Sequence, residues 1–305
     1  MPNAVENFPL LVTREFASRM RPGRPDDPLL RQVLPTTPED EPATGFTLDA
    51  VGDLASSDGT GCLSKYAGRT LMIATPACAI HCRYCFRRHF PYASHSARRD
   101  DFSAAVDSVR QRDSIREVIL SGGDPWMVGD PSLRRLIEQL AAIDHVRRLR
   151  FHTRMPIVLP NRLTDELWTT LRQATEPPRR LEVRVVVHAN HPQEFDGEVR
   201  DGLAKLQRAG VQVLNQSVLL RGINDDVDVL EALSEELLSC GVMPYYLHQL
   251  DRAQGTQHFE VKPSRGLELV AELRRRLPGY AVPQYVQEIA GERSKTPILH
   301  ADSPA

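Results

Sequence analysis

From Arg69 onward, short runs of β-branched and apolar residues alternate with longer amphipathic stretches. The longer stretches repeat apolar residues at the spacing of one helix face, and the short runs have the length of buried strands. This alternation is typical of βαβ units and a parallel sheet. Six such units predict an α/β fold, a partial (βα)6 barrel rather than a closed eight-unit barrel. The predicted strands are Thr70–Thr75, Glu117–Leu120, Arg147–His152, Leu181–Ala189, Val211–Leu219 and Met243–His248, and the predicted helices lie near 102–112, 131–143, 164–174, 198–209, 226–239 and 264–276.

The chain before the first strand has the pattern of an appendage. An apolar-periodic stretch near Phe8–Met20 predicts a helix, and the proline-rich, acidic connector from Arg21 to Pro42 is expected to wrap the surface. The predicted organisation is therefore an N-terminal helical and extended appendage over 1–60, a barrel core over 61–251 and a C-terminal segment over 252–305.

Polar, chemically capable side chains lie in or directly after each predicted strand. In parallel barrels the active site lies at the C-terminal ends of the strands. Ordinary loop polarity explains any one of these groups, but it explains six in succession poorly. The groups are the cysteine loop after the first strand, then Ser121–Pro125, His152–Arg154, His188–His191, Asn215–Ser217 and His248–Asp251. We therefore expect the active site on this rim.

Composition narrows the class of protein. The 305 residues include 38 Lys plus Arg against 40 Asp plus Glu, a net charge of −2, which argues against a general binder of nucleic acid or anionic membranes. No apolar run approaches the roughly 20 residues that span a bilayer, and the N-terminus lacks the features of an export signal. Five cysteines, an odd number, do not suggest a disulfide framework, so we expect a cytoplasmic protein.

Three of the five cysteines, Cys78, Cys82 and Cys85, fall within eight residues. Thiolates are soft ligands for zinc or iron–sulfur clusters. A structural zinc site needs four ligands, so His81 or His89 would have to complete it here. Three cysteines in one loop suit a cubane cluster with one open iron better, and buried or reactive thiols are the remaining alternative.

The three-then-two spacing of these cysteines resembles the signature of the radical S-adenosylmethionine (SAM) superfamily. The longer string from Cys82 to Tyr92, CRYCFRRHFPY, resembles the lysine 2,3-aminomutase family, and the resemblance runs from about Leu30 to Pro297. It implies a partial barrel of the radical SAM type, a [4Fe–4S] cluster on the three cysteines, SAM as ligand of the open iron, and pyridoxal 5′-phosphate as a further cofactor.

The resemblance also assigns SAM-binding positions. Gly122, Gly123 and Asp124 match the segment that holds the methionine part, where glycines allow close approach of backbone to ligand. A Gly-Gly-Asp-Pro sequence alone is more often a turn. His188 and Gln216 match positions near SAM and cofactor, with a structural hydrogen-bonding role as the alternative for each.

Four lysines, Lys65, Lys205, Lys262 and Lys295, are the candidates for a covalent link to pyridoxal phosphate. A lone loop lysine is usually solvated. By resemblance Lys295, in a Lys-Thr-Pro segment, is the cofactor lysine and the catalytic residue. Residues 252–305 would then form a lid that carries it. The resemblance implies that Lys65, Tyr66 and Arg69 contact the cofactor, and a guanidinium makes Arg69 the better phosphate ligand.

The family match further implies the substrate contacts. Arg87 matches the arginine that pairs the substrate α-carboxylate. Asp251 and Glu288 match two carboxylates that hold the side-chain ammonium of lysine, although the second is an aspartate in the enzymes acting on free lysine. Glu288, Phe86 and the ten residues after Lys295 resemble the elongation factor P branch. That branch converts (S)-α-lysine to (R)-β-lysine, which a separate ligase attaches to elongation factor P.

The expected activity is therefore that of an isomerase, a lysine 2,3-aminomutase, with a small-molecule substrate and a functional link to an elongation factor P ligase. Three alternatives remain open at this point. One is an aminomutase for free lysine or another amino acid, such as glutamate. Another is a non-catalytic iron–sulfur or zinc sensor. The third is a degenerate enzyme kept as a binding partner.

Overall fold

A computed structural model describes residue 6 and residues 8–177 and 181–299. The remaining residues, which include the start of the predicted appendage and the end of the predicted C-terminal segment, lie outside this description. In the described ranges, nine strands form one sheet in chain order, with β1 antiparallel to β2, β2 to β8 parallel, and β9 antiparallel to β8. The strands are β1 Cys62–Leu63, β2 Arg69–Thr75, β3 Glu117–Gly122, β4 Arg148–His152, β5 Glu182–Val187, β6 Gln212–Val218, β7 Met243–His248, β8 Gln284–Gln287 and β9 Thr296–Pro297.

The six predicted strands are confirmed as β2 to β7, and the sheet stays open because its edge strands β1 and β9 do not pair with each other. A seventh parallel strand, β8, was not predicted. Its sequence, Gln-Tyr-Val-Gln, is short and half polar, so it lacks the apolar run that marks the others. It pairs with β7 through Tyr246, Leu247 and His248. The sheet therefore continues into residues 252–305.

Amphipathic helices pack against the sheet through their apolar faces. In Asp130–Ala141 the buried residues are Leu133, Leu136, Ile137 and Leu140, which recur at the helical spacing of three and four. No helix in the described ranges is long and apolar enough to cross a membrane. The helices are α1 Arg14–Ser18, α2 Pro28–Arg31, α3 Tyr92–His95, α4 Ser103–Arg110, α5 Asp130–Ala141, α6 Met155–Val158, α7 Asp165–Thr175, α8 Gly197–Arg208, α9 Val227–Ser239 and α10 Pro263–Arg276.

The N-terminal segment departs from the prediction in two ways. The helix expected over Phe8–Met20 is only the five-residue α1. The connector from Arg21 to Pro42 does not simply wrap the surface, because Leu29 and Val33 are part of the main hydrophobic core. Its prolines and acidic residues suggested exposure, but the apolar residues between them pack inward.

A buried ion pair network attaches this segment to the cysteine loop. Glu39, in the turn Thr37–Asp40, accepts hydrogen bonds from Arg83 Nε at 2.9 and 3.0 Å and from Arg88 Nη2 at 2.9 Å. Arg83 lies between Cys82 and Cys85, and Arg88 follows Cys85. Both side chains are almost fully buried. A buried charge is tolerated only when it is paired and hydrogen-bonded. The connector therefore stabilises the loop.

We expect Glu39→Ala to lower the free energy of unfolding by about 3–5 kcal/mol, because it leaves two buried guanidinium groups without their shared carboxylate. Thermal unfolding of the metal-free protein measures the effect. Glu41→Ala, at an exposed position of the same connector, is the matched control. Equal melting temperatures for the two variants would contradict the proposed contribution of Glu39.

Candidate active site

A cavity of about 350 Å³ opens at the C-terminal ends of the parallel strands. Its wall is formed by the loops after the strands, by the residues before β2 and by the segment after β8. All the residues assigned to a site from the sequence line it, and they are Cys78, Cys82, Cys85, Lys65, Tyr66, Arg69, Arg87, Gly122, Gly123, Asp124, His188, Gln216, Asp251, Glu288 and Lys295. Positions spread over 230 residues of chain thus meet in one space.

The three clustered thiols share one end of this cavity. Burial raises the pKa of Cys85 to about 11, and it also raises the pKa of Cys78, with a further increase from the neighbouring thiols. Within the described residues, no three His, Cys, Asp or Glu side chains are close enough to hold a single metal ion. A zinc site needs that convergence, whereas a cubane cluster binds each cysteine to a different iron. The donor set therefore fits a cluster.

The cysteine loop is held by backbone contacts from the N-terminal segment. His81 N donates to Leu11 O at 2.9 Å, and His81 Nδ1 lies 2.7 Å from Pro9 O. The Phe8 ring stacks on the His81 ring with centroids 4.4 Å apart. These contacts occupy the His81 side chain outside the cavity, so a role for it as metal ligand is not supported by its position.

Arg154 is a charged residue of the cavity wall for which no role was predicted from the sequence. Its Nη1 donates to Cys82 Sγ at 2.8 Å, and its Nη2 donates to Gln32 Oε1 and Glu194 Oε2 at 2.7 and 2.9 Å. The arginine is buried, and Glu194 is fully buried. The sequence predicts Arg154 on the rim, after β4. It does not show that the Arg154 guanidinium reaches Cys82 in the loop after β2.

The Gly122–Gly123 segment presses against backbone rather than leaving open space. A Cβ on Gly123 would stand 2.3 Å from Ala77 O, and Gly122 has a φ of +117°. Gly123 N and Asp124 N donate to Thr75 O and Ala77 O at 2.7 and 2.8 Å. The glycines are therefore required for close contact with the backbone that leads into the cysteine loop. From the sequence, they were expected instead to let the backbone approach a bound ligand.

Asp124 fixes the loop after β3 to the loop after β4. Its carboxylate accepts from Thr153 Oγ1 at 2.7 Å, from Trp126 N at 3.0 Å and from Arg154 N at 2.7 Å. Burial nevertheless raises the pKa of the Asp124 carboxyl above its usual value. These donors account for its burial, and contact with the methionine part of SAM stays a prediction.

His188 and Gln216 lie on the wall between the two ends of the cavity. His188 Nε2 lies 2.9 Å from Tyr84 Oη, and Asn190 Nδ2 donates to the same Tyr84 oxygen at 2.7 Å. Burial, with the nearby positive charge of Arg154, lowers the pKa of His188 to about 3. The imidazole is therefore neutral at physiological pH; its contacts with Tyr84 fit the structural alternative, and its predicted place near SAM and cofactor stays a prediction.

Two further histidines of the wall, His152 and His248, end β4 and β7. Burial lowers the pKa of both well below the usual value, and the charges of Arg150 near His152 and of Lys295 near His248 lower it further. Neither was assigned a role from sequence. Because both rings are neutral, the charges of the cavity are those of its carboxylates, lysines and arginines.

The other end of the cavity is built around Glu288, directly after β8. Lys295 Nζ lies 2.6 Å from Glu288 Oε2, and Tyr66 Oη donates to Glu288 Oε1 at 2.6 Å. Lys65 Nζ lies 3.5 Å from the same Oε1. The nearby cations and these hydrogen bonds keep the pKa of Glu288 below its usual value although burial opposes them. Glu288 is therefore a carboxylate with both oxygens engaged.

Asp53 joins this end of the cavity to Arg87. Its Oδ1 lies 2.7 Å from Lys65 Nζ, and its Oδ2 accepts from Arg87 Nε at 2.7 Å. Arg87 Nη1 also donates to Ser121 Oγ at 3.2 Å. The sequence signal for Asp53 was missing, because a single aspartate in a predicted appendage resembles any surface aspartate. Only the fold brings it between two cavity cations.

Asp251 is the carboxylate of the cavity whose negative charge is least compensated by neighbouring cations and hydrogen-bond donors. Removal from water raises the pKa of its carboxyl to about 7, while the charge of Lys295 lowers it and the charge of Glu288 raises it. A second cation near Asp251 would restore its ionised form. This is the electrostatic behaviour of a site for a positively charged group.

Arg69 has the features of an anion ligand. Its guanidinium lies over the Tyr66 ring, 4.9 Å from the centroid. Its Nε is buried and has no hydrogen-bond partner in the described part of the chain. A buried donor without a partner is costly, and a phosphate group would satisfy it. With Lys295 on the same wall, this end of the cavity fits pyridoxal phosphate.

Comparison with known proteins agrees with this geometry. Residues 72–233 match the family model of the radical SAM superfamily. The chain is 45% identical to an L-lysine 2,3-aminomutase of Escherichia coli over 97% of this chain and 85% of that protein. It is 42% identical to one of Haemophilus influenzae, over 95% and 84% of the two chains, and 36% identical to one of Clostridium subterminale, over 97% and 70%.

The chain belongs to the lysine 2,3-aminomutase family of the radical SAM superfamily. A radical SAM methyltransferase from Sphaerobacter thermophilus has a similar fold, with a TM-score of 0.50, 17% identity, and 74% of this chain and 68% of that chain covered. The predicted family, fold class and isomerase class are thereby confirmed. Membership implies a [4Fe–4S] cluster and SAM, and it argues against a zinc sensor.

We expect Gly123→Ala to destabilise the protein by more than about 2 kcal/mol, because its Cβ would overlap the backbone of the cysteine loop. The same displacement should lower iron and sulfide retention after anaerobic reconstitution. Gly129→Ala is the control, since a Cβ there meets no atom within 4 Å. Wild-type melting and iron content in the Gly123 variant would show that the close contact is dispensable.

Proposed function

We propose that the chain is a radical SAM, pyridoxal phosphate-dependent 2,3-aminomutase that converts (S)-α-lysine to (R)-β-lysine. The observation that carries the proposal is the single cavity with three thiols at one end and the Lys295–Glu288 pair at the other. When bound, SAM at the open iron supplies a 5′-deoxyadenosyl radical and pyridoxal phosphate supplies an electron sink for the migrating nitrogen. Both must act on one small substrate, which requires one shared space.

The cysteine end would hold the cluster and SAM. Cys78, Cys82 and Cys85 would each bind one iron of the cluster, and the Gly122–Asp124 segment would hold the methionine part of SAM. His188 and Gln216, which line the same cavity, would lie near SAM and the second cofactor. Removal of water by this wall protects reactive radicals from side reactions.

The opposite end would hold pyridoxal phosphate. Lys295 supplies the amine for the covalent link, Arg69 pairs with the phosphate, and Tyr66 and Lys65 flank the ring and phosphate. Residues 252–305 would serve as the lid over a core of 61–251, with the appendage 1–60 contributing Asp53 to the wall. The lid excludes water while the substrate reacts.

Substrate would bind between these ends. Arg87 would pair with the α-carboxylate while its Nε stays bonded to Asp53 and its Nη1 to Ser121. Asp251 and Glu288 hold the side-chain ammonium. A glutamate substrate would place a carboxylate against these two acids, and that repulsion favours lysine.

Modification of elongation factor P is the proposed purpose of the product. Two positions of the cavity wall support it by resemblance, Phe86 beside the last cysteine and Glu288 in place of aspartate. Product would pass to a separate ligase in the cytoplasm. Incubation of the reconstituted chain with lysine, SAM, a reductant, the ligase, ATP and elongation factor P should yield a β-lysyl adduct, detected by mass spectrometry.

After anaerobic reconstitution with iron, sulfide and pyridoxal phosphate, we expect the protein to form β-lysine from lysine with SAM and a reductant. Chiral chromatography should give the (R) product. Lys295→Ala should abolish turnover and the visible absorbance of bound cofactor, whereas Lys205→Ala, a surface lysine paired with Asp165, should retain both.

Absence of β-lysine, with cluster and cofactor demonstrably bound, would refute the activity. Turnover of glutamate in preference to lysine would instead assign the other substrate class. Cofactor absorbance that persists in Lys295→Ala would remove Lys295 from its role.

Burial raises the pKa of Asp251 to about 7 even with the Lys295 ammonium nearby, and linkage of Lys295 to the cofactor would raise it further, so lysine binding should depend on pH. Below its pKa the carboxyl is protonated and loses its attraction for ammonium, so the KM for lysine should rise by up to about tenfold per pH unit. Above it the KM should reach a plateau. Steady-state kinetics from pH 6 to 8.5 would measure the effect. Asp251→Asn should have a high KM without this dependence, and an unchanged profile would exclude Asp251 as the titrating group.

A further inference from the structure

The free amine of Lys295 occupies a definite position in the cavity. Its Nζ lies 2.6 Å from Glu288 Oε2, and its side chain is 25% exposed, whereas that of Glu288 is 8% exposed. Asp251 lies close enough for the charge of Lys295 to lower the pKa of its carboxyl. The ammonium of the chain's own lysine therefore contacts Glu288 and lies within electrostatic range of Asp251.

Glu288 has little capacity left for a second cation. Its Oε1 accepts from Tyr66 Oη at 2.6 Å and lies 3.5 Å from Lys65 Nζ. Lys65 itself is bound to Asp53 Oδ1 and Val51 O, both at 2.7 Å. Glu288 Oε2 is thus the oxygen that a mobile ammonium can use, and Lys295 holds it.

The side chain of substrate lysine ends in the same chemical group as Lys295. Two ammonium groups cannot share one carboxylate oxygen in this buried site without repelling each other. A covalent link between Lys295 and a cofactor aldehyde would convert the ammonium to an imine, with loss of water, and would tie the nitrogen to the cofactor, so that it could no longer serve as the ammonium partner of Glu288. The ammonium position at Glu288 and Asp251 is then free.

We propose that Lys295 occupies the side-chain ammonium site at Glu288 and Asp251 in the cofactor-free protein, so that this site accepts lysine only after pyridoxal phosphate has engaged Lys295. The inference rests on the proposed function and deepens it, because it gives Lys295 a second role as an internal competitor of substrate. Cofactor loading and recognition of the lysine side chain become linked steps.

Isothermal titration calorimetry with L-lysine and L-norleucine tests this, since norleucine lacks only the side-chain ammonium. The ratio of the two Kd values isolates the ammonium contribution. With the cofactor fixed to Lys295 by borohydride reduction, so that the added amino acid cannot displace Lys295, wild type should prefer lysine by about tenfold or more, the value of one charge-assisted hydrogen bond. Cofactor-free wild type should bind the two with Kd values within about twofold, because Lys295 holds the site. No cluster, SAM or turnover is needed.

Variants locate the competitor. Cofactor-free Lys295→Ala should regain a preference for lysine of about tenfold, and the added change Glu288→Gln should abolish it. Lys205→Ala, which removes a lysine outside the cavity, should behave as wild type. Melting temperatures near that of wild type show that each variant is folded, and the comparison of loaded and cofactor-free wild type stands without any variant.

The outcomes separate the two proposals. If loaded wild type does not prefer lysine, the proposed substrate is wrong. If loaded and cofactor-free wild type prefer lysine equally, the substrate stands and competition by Lys295 is overturned. A Lys295→Ala protein that shows no preference, while loaded wild type does, would also overturn it.

Discussion

The cavity depends on the pairing of charges in a space from which water is largely removed. Asp53 is shared by Lys65 and Arg87, and Glu288 is shared by Lys65 and Lys295, so each carboxylate compensates two cations. Removal of Asp53 would leave Arg87 without its carboxylate, and removal of Glu288 would leave Lys295 without its own, which is costly where water is excluded, whereas removal of one cation leaves each carboxylate with another. The network therefore fixes the position of each functional group before any ligand binds, and it leaves Asp251 as the carboxylate that gains from an added cation.

The cysteine loop is organised by a different principle, close backbone contact. Gly122 and Gly123 allow the loop after β3 to donate hydrogen bonds to Thr75 O and Ala77 O, and Asp124 continues this contact towards Arg154. Arg154 in turn reaches Cys82 and Glu194. A cluster held there would be surrounded by groups that are themselves held by neighbours. Outer contacts of this kind orient metal ligands and adjust their chemistry.

Local signals predicted much of this molecule. Strand and helix periodicity gave β2 to β7, and the spacing of Cys78, Cys82 and Cys85 gave the metal end. The strand β8 was not predicted, because four residues that include two glutamines show no clear hydrophobic periodicity. The roles of Asp53 and Glu39 were not predicted for another reason. The partner of a carboxylate is set by the fold and not by its neighbours in sequence. The same holds for the contact of Lys295 with Glu288, although both residues were identified.

The separation in sequence of the contacting groups has a consequence for folding. Tyr66 and Glu288 are 222 residues apart, and Lys65 and Glu288 are 223 apart. Closing such a long loop costs entropy that few early contacts repay, and folds with distant contacts form slowly. The Lys295–Glu288 contact is local, seven residues apart, but Tyr66 and Lys65 can reach Glu288 only when β8 has joined the sheet that begins beside them. Capture of an aldehyde cofactor by Lys295 in its native setting is thus delayed until the whole sheet has assembled.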